Sequence, residues 1–317
     1  MQQPARWTTV LILSAALGST QAQIPDSLLS KPDSTLTFGD SLAVFRMIDS
    51  LMALDIEIRS ELAIRLGYNS NILAAGRTLG IEQFGLAPAI TYYHKSGLYA
   101  DITTYWSKDF DPHAYLTTAT IGYLHLFSNK FSATAGFDHY FYNYGEEYSF
   151  IPYSNALTLS PSLELNPFSV RLDYSFYFGD AYANRIMPGV SGNLRKKNFL
   201  GFDRVTFYPS FYVLFGDELI TELEWTRPAN LAEALDNART YGTTSGITIT
   251  ERKVFGLMNY AFSAPLNLAT NNWLFNVTYT YSIPRPIGNE PFTLTNSGFI
   301  SASVVFYIEF GRDKSPL

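Results

Sequence analysis

The feature that most constrains the fold of this chain is a two-residue alternation of apolar and polar side chains. Phe168, Val170 and Leu172, for example, are separated by single polar residues. Because successive side chains on a strand point to opposite faces, each such segment predicts a strand with one apolar and one hydrophilic face. The segments recur from about residue 56 onward, and a tilted strand of about 9–11 residues spans the hydrocarbon core of a bilayer. The pattern therefore predicts an all-β chain whose strands suit a membrane.

Composition excludes several classes of protein. The net charge of -6 argues against a nucleic-acid-binding surface, because such surfaces are normally basic. The chain has no cysteine, so disulfides, thiolate metal sites and a lipid-modified N-terminal cysteine are excluded. No run of eighteen or more apolar residues follows the N-terminus, which excludes a helical membrane span.

The N-terminal region predicts an exported protein. Residues 1–22 have the pattern of a signal peptide: Arg6 is followed by a short apolar core and a small-residue cleavage site before Gln23. Residues 23–55 read as a polar lead-in that contains one short amphipathic helix with Asp40 as its N-cap. The apolar stripe of this helix is Val44, Phe45, Ile48, Leu51 and Met52. Two interpretations stay open, a helix packed at the periplasmic mouth of a barrel and a plug inside it.

Residues 56–310 are predicted to form about twelve antiparallel strands, with a polar tail at 311–317. The predicted strands are 57–69, 81–94, 98–107, 113–127, 131–142, 155–165, 168–178, 199–215, 219–226, 252–264, 272–283 and 297–310. Tight turns are predicted at 95–97, 128–130, 166–167, 216–218 and 265–270, and longer links at 70–80, 108–112, 143–154, 179–198, 227–251 and 284–296. Short and long connections alternate, as in outer-membrane barrels with short periplasmic turns and longer extracellular loops. An even strand count places both termini on the periplasmic side.

Turn lengths can be compared with side-chain parity, because a slip of one residue turns a strand's apolar face the wrong way. The pairs expected from the tight turns are Leu163 with Val170, Ser162 with Arg171, Thr120 with Asp138, and Phe215 with Leu219. In each pair the polarity of the two side chains is compatible. Pro88, Pro161 and Pro209 lie within predicted strands, where a missing N–H interrupts the ladder. We expect bulges at these prolines, or strand limits that differ from the predicted ones.

Alternation alone does not decide whether the apolar face points inward or outward. A barrel of about eight strands is filled by its own side chains, whereas twelve strands enclose a wider interior. The predicted strands also exceed the average of about 5–6 residues, which argues against a sandwich. We therefore predict a transmembrane antiparallel up-and-down β-barrel with its apolar face toward lipid.

The last predicted strand carries a resemblance to a known class of proteins. Ile300, Ala302, Val304, Phe306, Ile308 and Phe310 share one face, and the strand ends on an aromatic residue. This segment resembles the C-terminal strand of bacterial outer-membrane β-barrel proteins, although a polar tail follows the aromatic residue here. The resemblance implies a location in the outer membrane, contact with its lipid, and recognition by the barrel-assembly machinery. It covers the architecture of residues 56–310 and identifies no subfamily.

The hydrophilic face supplies the candidate functional residues. The predicted lumen-lining residues are Arg65, Asp101, Asp138, Glu164, Arg171, Asp173, Glu222 and Glu309. Glu164 and Arg171 are diagonal neighbours across their turn, which predicts an ion pair. Rings of charged side chains select solutes by charge, and the excess of acids favours cations or neutral solutes. The expected function is a channel for passive or weakly selective passage of small polar solutes, and the alternative is a closed barrel with a structural or loop-mediated binding role.

An outer-membrane hydrolase is a third hypothesis. It would need a nucleophilic serine near a histidine that a third polar group orients. By position, His94 and His125 lie near periplasmic turns, His139 faces lipid, and only His113 lies by an outer loop. No serine motif accompanies it, so we predict no enzymatic activity, no cofactor and no metal. Residues 230–240, in the longest link, are predicted to form a short helix.

Overall fold

The computed structural model of the protein describes residues 60–70, 85–108, 111–143, 153–241, 244–287 and 295–310. The predicted signal peptide, the predicted N-terminal helix and the predicted polar tail lie outside the described residues. The strands are β1 Glu61–Asn69, β2 Gly85–Tyr93, β3 Leu98–Trp106, β4 Ala114–Leu126, β5 Phe131–Tyr142, β6 Tyr153–Glu164, β7 Phe168–Gly179, β8 Tyr182–Gly192, β9 Leu194–Phe199, β10 Phe202–Phe207, β11 Ser210–Thr226, β12 Gly246–Thr270, β13 Trp273–Pro284 and β14 Ser297–Glu309. One helix, α1, spans Leu231–Tyr241.

These elements fall into two compact units. Among the described residues, the smaller unit comprises Thr221–Glu251, which includes the end of β11, α1 and the start of β12. The predicted helix of the longest link is therefore confirmed. It begins at a capping arrangement in which Asn230 Oδ1 accepts a hydrogen bond from the Glu233 N–H at 2.9 Å, while the Glu233 carboxylate accepts one from the Ala229 N–H at 2.8 Å. No helix of the described chain is long and apolar enough to cross a membrane.

The larger unit is a closed antiparallel barrel. Neighbouring strands follow chain order from β1 to β8, then β11, β12, β13 and β14, and β14 pairs with β1. The strands β8 and β9 run on as one, as do β10 and β11, so the wall has the predicted twelve strands. Glu61, at the start of β1, lies opposite Glu309, at the end of β14. Both described ends of the chain therefore lie at one end of the barrel, which we call the terminal end.

The tight turns bear out most of the predicted registers. Leu163 pairs with Val170 and Ser162 with Arg171 across the 166–167 turn, and Thr120 pairs with Asp138 across the 128–130 turn. The turns at 95–97, 128–130, 166–167 and 271–272 lie at the terminal end, and most of the opposite connections are longer.

Three predicted connections are wrong. The predicted loop 179–198 is occupied by β8 and β9, which pair in part with β7, β11 and β10. The predicted turn 216–218 lies within β11, and the predicted turn 265–270 lies within β12. One strand was missed and another was divided in two, so the count of twelve still holds.

The prolines were expected at bulges or at wrongly placed strand limits. Pro209 lies at the break between β10 and β11, so the predicted limits are wrong there. Pro88 pairs with Leu66 and Pro161 with Ala133 without a change of register. Alternate residues of an antiparallel strand direct their N–H groups to opposite neighbours. A proline therefore removes a ladder bond on one side only.

Candidate functional site: the inner face of the barrel

The two faces of the barrel wall differ in burial and in chemistry. Ile102 is 59% exposed on the outer face of β3, whereas its neighbours Asp101 and Thr103 are buried. Phe137 and Asp138 on β5 show the same contrast. The large apolar side chains that are exposed are mostly leucine, phenylalanine, isoleucine and valine, as on the outer wall of a barrel surrounded by lipid. The polar side chains that can bind or pass a solute therefore lie on the inner face.

Asp101 is the centre of a buried polar cluster on β1, β2 and β3. Thr91 Oγ1 donates a hydrogen bond to Asp101 Oδ2 at 2.5 Å, and Thr103 Oγ1 donates one to Oδ1 at 2.6 Å. Arg65 Nη2 lies 3.7 Å from Oδ2 and donates to Thr103 Oγ1 at 3.1 Å. Both carboxylate oxygens thus have a hydroxyl donor, and a cation lies beside them. This arrangement satisfies a buried charge.

Two further carboxylates continue the polar surface around the wall. Thr120 Oγ1 donates to Asp138 Oδ1 at 2.6 Å. Arg171 Nε donates to Asp173 Oδ1 at 2.9 Å, within one strand. Arg171 is thus paired with Asp173, while the predicted contact of Arg171 with Glu164 stays a prediction.

The remaining predicted site residues lie farther apart. Glu164 pairs in register with Ser169 at the terminal end, where Glu309 lies opposite Glu61. Glu222 lies in β11. The structure therefore brings Arg65 and Asp101 into one cluster, and Arg171 and Asp173 into another.

Strands β12 and β13 supply a neutral polar surface. The side chains of Asn276 and Asn267 are hydrogen-bonded, and Thr278 Oγ1 donates to Asn276 Oδ1 at 3.1 Å. Ser263 Oγ and Thr280 Oγ1 lie 3.1 Å apart. All of these side chains are buried. This part of the inner face offers hydroxyl and amide groups without net charge.

Tyrosines are the inner-face residues that sequence reasoning missed. Tyr99 pairs directly with Gly122 and its ring covers the place of a Cβ there. Tyr212 pairs with Gly189 and covers it in the same way. A tyrosine in the polar phase of one strand, opposite a glycine of the next, was the available signal. An aromatic ring that packs on a cross-strand glycine replaces the missing side-chain contacts.

Apolar side chains join these tyrosines in three buried clusters. One of them contains Met187, Tyr212, Leu214, Met258, Ala261 and Ile287. Leu116 belongs to a second cluster, and Leu124 is also buried, so two leucines of β4 interrupt the polar side chains of the inner face. The inner face is therefore a mosaic of charged, neutral polar and aromatic regions.

The histidines make local contacts. His94 Nδ1 lies 2.8 Å from Ser96 Oγ within one tight turn, and His139 Nδ1 lies 2.8 Å from Asn155 Oδ1. His113 packs edge-on against Trp106 with ring centroids 5.7 Å apart. Among the described residues, no group of three or more His, Asp or Glu side chains has the geometry to hold a metal ion.

No protein-family model and no curated protein matches this sequence. Among solved structures, the KdgM porin has 11% sequence identity and a TM-score of 0.41, with 78% of this chain and 98% of that chain covered. The NanC porin has 11% identity and a TM-score of 0.40, with coverages of 77% and 98%. A bacterial polysaccharide outer membrane secretin has 10% identity and a TM-score of 0.37, with coverages of 80% and 100%. Likenesses at this level carry no argument, so the barrel rests on its own strand registers.

Proposed function

We propose that this protein is a bacterial outer-membrane channel that passes small polar solutes along the inner face of its barrel. The observation that carries the proposal is the combination of an apolar, exposed outer wall with charged and hydroxyl side chains on the inner one. Such polar groups keep water in the interior and replace part of the hydration shell of a passing solute. In this proposal the outer wall contacts membrane lipid, the assembly machinery recognises β14, and the terminal end faces the periplasm.

In this proposal the route is narrow and at most weakly selective. Large side chains such as Tyr99, Tyr212 and Met258 lie on the inner face and are buried. Of the predicted lumen-lining residues, six are acidic and two are basic. The excess of acids supports a preference for cations and neutral solutes, and buried Arg185 offsets part of it.

A closed barrel with a structural or binding role is the second candidate. The buried clusters of tyrosine and aliphatic side chains support it, because apolar packing excludes water from the interior. That the protein has no enzymatic activity stays a prediction.

Conductance of the folded protein in planar bilayers tests the proposed channel. We expect small, steady steps and a reversal potential in a potassium chloride gradient that shows a preference for cations. Asp138→Asn is expected to reduce this preference, because it removes one inner-face charge while keeping a hydrogen-bond acceptor for Thr120. The matched control is Asp180→Asn at an exposed turn, which is expected to leave the reversal potential unchanged.

One outcome would contradict the proposed channel, and another would contradict only the role of Asp138. Folded protein that inserts and conducts no ions would favour the closed barrel. An unchanged ion preference in Asp138→Asn would show that the Asp138 carboxylate does not contribute to the ion preference.

A further inference from the structure

The hairpin of β9 and β10 extends the barrel wall at the terminal end. It continues β8 and β11, and its tip is Leu200–Gly201. Both tip residues have positive φ angles, 54° for Leu200 and 81° for Gly201. Sequence reasoning placed residues 194–198 of β9 in a long link on the opposite side. In the structure these basic residues lie at the terminal end of the barrel instead.

One edge of this hairpin is open. In the described chain β9 pairs only with β10. The first residue of β7, Phe168, lies opposite Gly192 at the end of β8, so β7 does not reach far enough to pair with β9. The six residues of β9 extend about 20 Å at 3.3 Å per residue. An added strand at this edge would lie in line with β7, beyond Pro167.

The backbone of β9 is oriented for such an addition. The Gly192 N–H donates to Pro209 O at 2.8 Å, whereas the Asn193 N–H donates to Pro167 O at 2.7 Å, on the other side. Because alternate residues direct their N–H groups to opposite sides of a strand, those of Arg195 and Lys197 point toward the open edge.

The side chains along this edge are basic. Arg195, Lys196 and Lys197 are consecutive and exposed, and β9 contains no acidic residue. Leu194 and Leu200, at either side of this basic run, are 58% and 75% exposed. Lysines on an edge strand also discourage non-specific pairing. Exposed leucines favour association instead. The combination of basic and apolar side chains therefore suits a partner of matching charge better than non-specific pairing.

We propose that β9 is a docking edge for an extended acidic segment of another protein at the terminal end of the barrel. The partner adds a strand to the open edge, with carboxylates against Arg195 and Lys197 on one face of the strand and against Lys196 on the other. Main-chain hydrogen bonds supply affinity in this mode of recognition, and the side chains supply specificity.

The test uses the full mature protein in phosphatidylcholine nanodiscs and a fluorescent ten-residue peptide in which pairs of glutamates are separated by single valines. Both faces of this peptide carry carboxylates when it is extended. Anisotropy measures binding. The triple variant Arg195→Gln, Lys196→Gln, Lys197→Gln is expected to weaken binding about tenfold or more, because three exposed charge pairs are lost. The matched control, Lys95→Gln with Lys130→Gln, neutralises exposed cations in two other turns of the same end and is expected to bind as the parent does.

A second probe separates strand addition from charge attraction. A peptide of identical charge, N-methylated at alternate residues, cannot form the ladder bonds and is expected to bind at least tenfold more weakly. Equal binding of the methylated peptide overturns the proposal. Failure of the unmodified peptide to bind also overturns it. Displacement of that peptide when phosphatidylglycerol replaces the nanodisc lipid overturns it as well, because that result would identify an anionic membrane surface as the ligand. None of these outcomes depends on whether the barrel conducts ions.

Discussion

Asp101→Ala is expected to lower the free energy of unfolding by about 3–5 kcal/mol, the range observed when one partner of a buried charge pair is removed. Arg65 would lose its carboxylate, and the hydroxyls of Thr91 and Thr103 would lose their acceptors. Asp101 is only 7% exposed, so water replaces the carboxylate poorly. Urea titration of the protein folded into phospholipid vesicles, followed by tryptophan fluorescence, measures the change.

Two variants control this result. Asp101→Asn keeps an acceptor oxygen and is expected to fall between the parent and Asp101→Ala. Asp180→Ala changes an exposed aspartate in a turn and is expected to stay within about 0.5 kcal/mol of the parent. A loss of less than about 1 kcal/mol in Asp101→Ala, on the scale of an exposed ion pair, would show that the cluster is hydrated.

Tyr99→Ala is expected to cost about 3–5 kcal/mol, as for other large aromatic residues truncated in a packed interior. The ring is 4% exposed, covers Gly122 and reaches toward Gly136. Tyr99→Phe keeps the packing and loses one hydroxyl, so a loss below about 1.5 kcal/mol is expected. The same urea titration applies.

A double-mutant cycle tests whether Gly122 is the partner of this ring. A Cβ at position 122 would overlap the Tyr99 ring, so Gly122→Ala alone is expected to cost about 1–3 kcal/mol. When Tyr99→Ala is also present, the overlap disappears. The loss of unfolding free energy in the double variant is therefore expected to be about 1–2 kcal/mol smaller than the sum of the two single losses. Strict additivity would mean that the ring and the glycine do not pack together.

The sequence predicts the barrel from two features, side-chain alternation and turn length. These two features are independent constraints only where a turn contains two residues. At Asn166–Pro167, a continuous strand would place Leu165 and Phe168 on opposite faces, so their shared polarity indicates a turn. A three-residue turn gives no such discrimination. Phe215 and Leu219 share a face in a hairpin and in a continuous strand alike, which is why the turn predicted at 216–218 passed the parity comparison and is wrong.

Long-range contacts explain the errors at Gly216 and in the missed strand. Gly216 and Asp217 read as turn residues, but Met258 Sδ would lie 2.6 Å from a Cβ at position 216. Asp217 accepts hydrogen bonds from Asn184 and lies 3.2 Å from Lys253 Nζ. β8 contains Pro188 and two glycines, and its neighbours on both sides keep it extended.

The candidate site was predictable in its charges and less so in its contacts. Alternation identifies Asp101 and Asp138 as polar-phase residues, and each has a threonine donor in the structure. Periodicity does not reveal which cation lies beside which acid, because that depends on side-chain direction. Arg171 accordingly contacts Asp173 on its own strand.

Spin labelling along β13 tests the central claim most directly, because a chain without cysteine accepts single labels at chosen positions. Labels at Val277 and Tyr279 would lie on the exposed outer face, and labels at Thr278 and Thr280 on the buried inner face. With the protein in a lipid bilayer, collision rates with dissolved oxygen should be high at 277 and 279 and low at 278 and 280. Equal rates at all four positions, or the reverse alternation, would contradict an apolar wall turned toward lipid.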